Sequence, residues 1–189
     1  MTNERQIAVL CAGSPSAYDN MPAVDVYNKR RDARTFPGGS PIVAHPPCRS
    51  WSAFCGHQAK PEADERYLGI WCVEQVRKWG GILEQPAHSR LWEAAGIPPP
   101  GGHESRDSWS ASVWQSWWGY PMRKATWLYF CGVNPQYVQP PLILHPGNGD
   151  RRAEQVMSHR QRSETIRPFA EWLVAIARHA KTPQEVRAA

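Results

Sequence analysis

Cys48 and Glu84 are the two residues of this chain whose type and setting best suit chemistry. Cys48 follows Ile42-Val43-Ala44, a short apolar run that reads as the end of a buried strand, and Pro46-Pro47 stops that strand in an extended turn. The thiol therefore stands at a strand's carboxyl end, where ligands and reacting groups collect in open α/β sheets. A candidate nucleophile is one reading, and a free thiol without chemistry is the other. Glu84 closes a second apolar run, Ile82-Leu83, that again ends in proline, at Pro86. Taken alone it reads equally well as a solvated glutamate.

The elements that must position these residues follow from periodicity. Ile7 to Ala12 is a continuous apolar run ending at Gly13, which suits a central parallel strand, and Ala23 to Tyr27 is a second strand candidate. Between Cys48 and Glu84, a helix is expected from Pro61 to about Trp79, because Leu68, Cys72, Val76 and Trp79 recur at helical spacing before Gly80-Gly81. Strand, helix and strand in that order imply parallel pairing through a crossover, which carries Glu84 to the same sheet edge as Cys48. Ala94 to Ser112 has loop composition, Ala125 to Gly132 is a strand, and Pro135 to Arg152 is irregular. Thr165 to about Ala180 forms an amphipathic helix with Ile166, Phe169, Ala170, Leu173, Ile176 and Ala177 on its apolar face.

With 189 residues, one domain with a real core is expected, spanning residues 1–180, followed by a flexible tail over 181–189. A net charge of +5 favours a polyanionic partner without requiring one. Five cysteines without a C-x-x-C pair suit reduced thiols in a cytosolic compartment. No apolar run approaches a membrane span, so a cytoplasmic monomer with no membrane association is expected. His45, Cys48, Cys55 and His57 include zinc-compatible ligands, but their spacing matches no zinc signature, and no metal is expected.

Three blocks in order carry a resemblance: HPPCRSWS from His45, LEQP from Leu83, and QSWWGYPMRKATWLY from Gln115. Together they resemble DNA cytosine-5 methyltransferases, above all the small, divergent members carried by phages and prophages, which would place the chain in a host cytoplasm. The resemblance implies a reduced Rossmann-like methyltransferase fold, α/β, with a mostly parallel central sheet flanked by helices. It implies that Cys48 adds to carbon 6 of a flipped cytosine and that Glu84 addresses ring N3. Arg123 would contact the base, with Lys124 as the alternative, because alignment from either side differs by one residue. Pro47, Ser52, Gln115 and Lys124 would line the substrate site. Cys11, Gly13, Asp25, Asp32 and Pro46 would hold S-adenosylmethionine, Asp25 reaching the ribose from the end of its strand and Asp32 the adenine amino group.

The cofactor loop departs from the family pattern, since Pro15 and Ser16 replace two of its glycines. A folate donor such as methylenetetrahydrofolate, giving hydroxymethylation, and a noncatalytic DNA-binding relative are the alternatives. No full-size target-recognition domain fits after the third block. DNA contacts would fall to the loops Cys55 to Pro61, Gly96 to Trp109 and Asn134 to Arg162, including Arg151, Arg152 and His159 to Arg162. Trp114, Trp117 and Trp118 either stack on an extruded base or pack in the core.

Overall fold

The computed structural model describes residues 4–52, 64–147, 161 and 163–187. The chain is α/β. Strands β1 (Ile7–Ala12), β2 (Val24–Asn28), β3 (Ile42–Ala44) and β4 (Gly81–Pro86) are parallel neighbours in the order β2-β1-β3-β4. Helix α1 (Glu65–Trp79) makes the crossover from β3 to β4, as expected, while Pro61 lies outside the described residues. A short helix α2 (Leu91–Ala94) follows.

Beyond β4 the sheet changes direction. Strands β5 (His103–Ser105), β6 (Ser108–Trp114) and β7 (Ala125–Cys131) extend it in the order β4-β7-β6-β5, and every one of these pairings is antiparallel. The seven-stranded sheet is therefore mixed, not mostly parallel. The expected loop at Ala94 to Ser112 also gives way to β5 and most of β6. Ser108, Ser110 and Ser112 alternate with Trp109, Ala111 and Val113, so β6 has a strand's period of two with serines on one face. A parallel or antiparallel direction leaves no mark on that period, which is why β7 was legible as a strand but not in its orientation.

Alternate residues of the central strands enter two cores. Ile7, Val9, Val43, Ile82, Leu128 and Phe130 pack on one face beneath helix α3 (Arg167–Ala177). Ala8, Leu10, Ile42, Leu83 and Tyr129 pack on the other beneath α1, with Cys72, Val73 and Val76. Each fully buried Ile or Leu here contributes about 1.5–3 kcal/mol by leaving water. Pro168 sits in the first turn of α3, where its missing N–H costs nothing.

Two glycines set the α1–β4 junction. Gly80, at φ +77°, ends α1 by donating its N–H to the Val76 carbonyl at 2.9 Å. Gly81, at φ +128°, lies so close to the Ile42 backbone that a Cβ there would collide with it. Past α3, residues of the expected tail form a one-turn helix α4 (Pro183–Arg187). Its first turn is closed reciprocally: Thr182 N–H donates to the Glu185 carboxylate at 2.6 Å, and Glu185 N–H to Thr182 Oγ1 at 3.2 Å.

Candidate active site

The loop after β3 is anchored to its neighbours before any substrate arrives. His45 N–H donates to the Leu10 carbonyl at 2.9 Å, continuing the β1–β3 pairing. Gln85, the residue after Glu84 on β4, donates from Nε2 to the Pro46 carbonyl and accepts from Ser89 Oγ at 3.1 Å. Cys48 opens a turn of 3-10 helix over Arg49–Trp51, closed by Trp51 N–H on the Cys48 carbonyl at 3.1 Å. That turn is tied to α1 through Glu65, which accepts from the Arg49 guanidinium and from Ser50 Oγ. Pro46 is buried, and Pro47, Cys48 and Ser52 are half-buried.

Ala44 pairs with Leu83, so the next residues on the two strands, His45 and Glu84, meet at the carboxyl edge. His45 Nδ1 lies 2.9 Å from Glu84 Oε2, and His45 Nε2 lies 2.6 Å from the Tyr18 hydroxyl. On the other side, Gln115 Nε2 donates to Glu84 Oε1 at 3.4 Å and to Thr126 Oγ1 at 3.0 Å. Glu84 is 8% exposed and Gln115 fully buried, so this row of polar groups runs through the protein interior. Gln115 Oε1 has no hydrogen-bond partner among the described residues. A buried amide oxygen left in that state costs about 1–3 kcal/mol.

The electrostatics set the protonation states. Burial pushes the Glu84 carboxyl up, but the His45 hydrogen bond and the attraction of His45 and Lys124 outweigh it and hold it below the ordinary carboxylate value. Burial and the nearby Glu84 charge push the Cys48 thiol up, against the opposing pull of the Lys124 ammonium. Burial pushes Lys124 down, against the pull of Glu84, Cys48 and Glu164. Tyr18 is raised well above an ordinary phenol by burial and then by Glu84. The resting site thus holds an ionised carboxylate, a neutral phenol and a thiol that is not yet activated.

Of the two basic residues named from the sequence, it is Lys124 whose charge acts on both Cys48 and Glu84. Arg123 is exposed and turned away, with Nε donating to the Pro146 carbonyl at 3.2 Å and its Cζ 5.9 Å from the Trp114 ring centroid. Successive residues entering a strand point to opposite sides, so only one of the pair can face the site. Trp118 is buried against Phe169 and Trp172, Trp117 packs beside it, and Trp114 remains at the surface. Cys55, His57, the loop Cys55 to Pro61, Arg151, Arg152, His159, Arg160 and Arg162 lie outside the described residues.

The cofactor residues are less well placed. The strand order reverses between β1 and β3, and a crevice for a ligand is expected outside their carboxyl ends. Cys11, at φ +60°, and Gly13 stand at that edge, and Cys11 Sγ is 3.7 Å from Cys72 Sγ on α1. Asp25 does not close its strand: it sits three residues before Asn28, roughly 10 Å short of the edge at strand rise. Its carboxylate is held by the Arg31 guanidinium and by the Tyr27 hydroxyl at 3.0 Å. Asp32 caps its own 3-10 turn through Arg34 N–H at 3.0 Å and pairs with the Arg34 side chain at 2.8 Å. A Cβ at Gly13 would meet only ordinary contacts, so no close approach demands glycine there. The Asp25 and Asp32 carboxylates are thus both paired with arginines close to them in the chain.

His45 and Tyr18 join the site only in the folded chain. His45 was visible as the residue between the strand and its two prolines; Tyr18 carried no signal, lying in a loop of small and polar residues. No protein-family model, curated protein or solved structure matches the chain. No helix among the described residues is long and apolar enough to cross a membrane, and no group of three metal-ligating side chains occurs among them.

Proposed function

We propose that the chain modifies carbon 5 of cytosine in DNA through covalent addition of Cys48 to carbon 6. One observation carries this reading: β3 and β4, parallel neighbours, bring Cys48 and Glu84 to one sheet edge, where the Lys124 charge acts on both. Carbon 5 of cytosine is a poor nucleophile. A sulfur–carbon bond at carbon 6, with a proton received at N3, makes carbon 5 enamine-like. Substitution there, loss of the carbon 5 proton to a base and expulsion of the Cys48 thiolate then complete the cycle.

Lys124 stabilises the thiolate that must form, and Gln115 holds Glu84 in place. The base is extruded from the stack to reach this edge. The reversal of strand order at β1 and β3 supports reading the parallel half as a reduced Rossmann-like methyltransferase fold. The net charge supports a polyanionic partner. Methyl transfer from S-adenosylmethionine is what the resemblance favours. A folate-borne one-carbon unit is the second reading, and the replacement of two loop glycines by Pro15 and Ser16 favours it.

The test is mass spectrometry of nucleosides from DNA coexpressed with the protein and with Cys48→Ser. A 5-substituted cytosine that appears only with the wild type is expected, and its mass identifies the group. Unmodified cytosine from cells holding folded wild-type protein would overturn the reading in favour of a noncatalytic DNA-binding relative.

A further inference from the structure

We propose that His45 is the proton carrier for Glu84, a positioning residue that lets a buried carboxylate serve ring N3 at each addition and elimination; the inference rests on the pyrimidine-addition reading above. Glu84 meets conflicting demands. The addition needs a proton delivered to N3, yet the carboxylate is buried among groups that keep it ionised. A nearby group must lend the proton and take it back.

His45 has the geometry for that loan. An ionised carboxylate only accepts, so the 2.9 Å contact requires the hydrogen on His45 Nδ1. The other ring nitrogen, Nε2, faces the Tyr18 hydroxyl at 2.6 Å. In the imidazolium both ring nitrogens carry hydrogen and Nε2–H donates to the Tyr18 hydroxyl, a bond kept in the neutral ring that is left when Nδ1 gives up its proton. Tyr18 therefore accepts from His45 both before and after the Nδ1 proton leaves. The charged and titratable groups around the pair are the Tyr18 phenol from the loop after β1, Glu84 from β4, Cys48 from the same loop as His45, and Lys124 ahead of β7.

The protons balance. As the Cys48 sulfur–carbon 6 bond forms, ring electrons move toward N3, Glu84 passes a proton to N3, and imidazolium His45 passes its Nδ1 proton to Glu84. In the elimination that follows substitution, a base takes the carbon 5 proton, the freed electron pair re-forms the carbon 5–carbon 6 double bond and expels the Cys48 thiolate, and N3 gives its proton through Glu84 back to His45. Nothing is consumed.

The experiment measures covalent complex formation with DNA containing 5-fluorocytosine, with S-adenosylmethionine and, separately, methylenetetrahydrofolate as donor, across pH for the wild type and His45→Asn. Asparagine keeps a donor at the δ position but carries no extra proton. The expected result is a complex in the wild type with a titrating limb, and in His45→Asn a rate at least about 100-fold lower with that limb lost. A His45→Asn profile matching the wild type overturns the proton-carrier role and leaves the proposed function standing. Absence of a Cys48-dependent complex in the wild type overturns both. If His45→Asn does not fold, the same rate profile measured on His45→Gln decides, and one matching the wild type overturns the inference.

Discussion

His45 and Glu84 hydrogen-bond at 2.9 Å across two parallel strands, one residue beyond the Ala44–Leu83 pair that sets their register. The strand ends and the site are thus one object. Any change that slides β3 against β4 separates the thiol from its carboxylate.

Glu84 ties stability to pH. Its folded pKa is depressed, so the stability it contributes is present above the ordinary carboxylate value and is lost as pH falls through the lower, folded value. Glu84→Gln is expected to cost about 1–3 kcal/mol at pH 7. That difference shrinks as the pH falls below about 4. Urea unfolding of both proteins from pH 7 to pH 3 checks it, and a gap that widens toward acid contradicts the assignment.

Lys124 should govern the reactivity of Cys48. With Lys124→Met the thiol loses the charge that opposes burial and Glu84, so its titration moves to higher pH. Iodoacetamide alkylation of Cys48 followed against pH reads this directly. The same curve in Arg123→Met should overlay the wild type, because Arg123 engages Pro146 and Trp114 instead.

Gln85→Ala removes the donor to the Pro46 carbonyl and leaves a buried acceptor unmet. A stability loss of about 1–3 kcal/mol is expected. The rate of complex formation with 5-fluorocytosine DNA should fall by more than the folded fraction accounts for, because the loop bearing Cys48 loses an anchor. Chemical denaturation and adduct kinetics on one preparation separate the two effects.

Gly81→Ala places a Cβ against the Ile42 backbone at a positive φ. Strain of about 1–3 kcal/mol and a shifted β3–β4 junction are expected. A melting temperature equal to that of the wild type would show that the junction tolerates a side chain.

Strands β1, β4 and β7 and helices α1 and α3 were legible in the sequence because each carries an uninterrupted apolar run or a helical repeat. Strand β6 was not, although Ser108, Ser110 and Ser112 alternate with apolar residues, because serine-rich composition reads as loop when the period is not counted. Within the site, Cys48, Glu84 and Gln115 stood out by motif. Tyr18 reaches His45 only through tertiary packing, and nothing local to it announces that contact. Asp25 was misplaced by the difference between lying in a strand and closing it.

The change of direction at β4 also orders events in time. The β6–β7 hairpin closes over the short segment Gln115 to Lys124, a local contact of the kind that forms in about 1–10 μs. The pairing of β4 with β7 spans 40 residues from Pro86 to Thr126 and 50 from Gly81 to Cys131, so its loop closure costs about 1 kcal/mol more. Gln115 arrives beside Glu84 with that pairing. Loss of Cys48 reactivity during refolding, as burial and Glu84 push its thiol pKa up, is therefore a clock for the docking of two half-sheets.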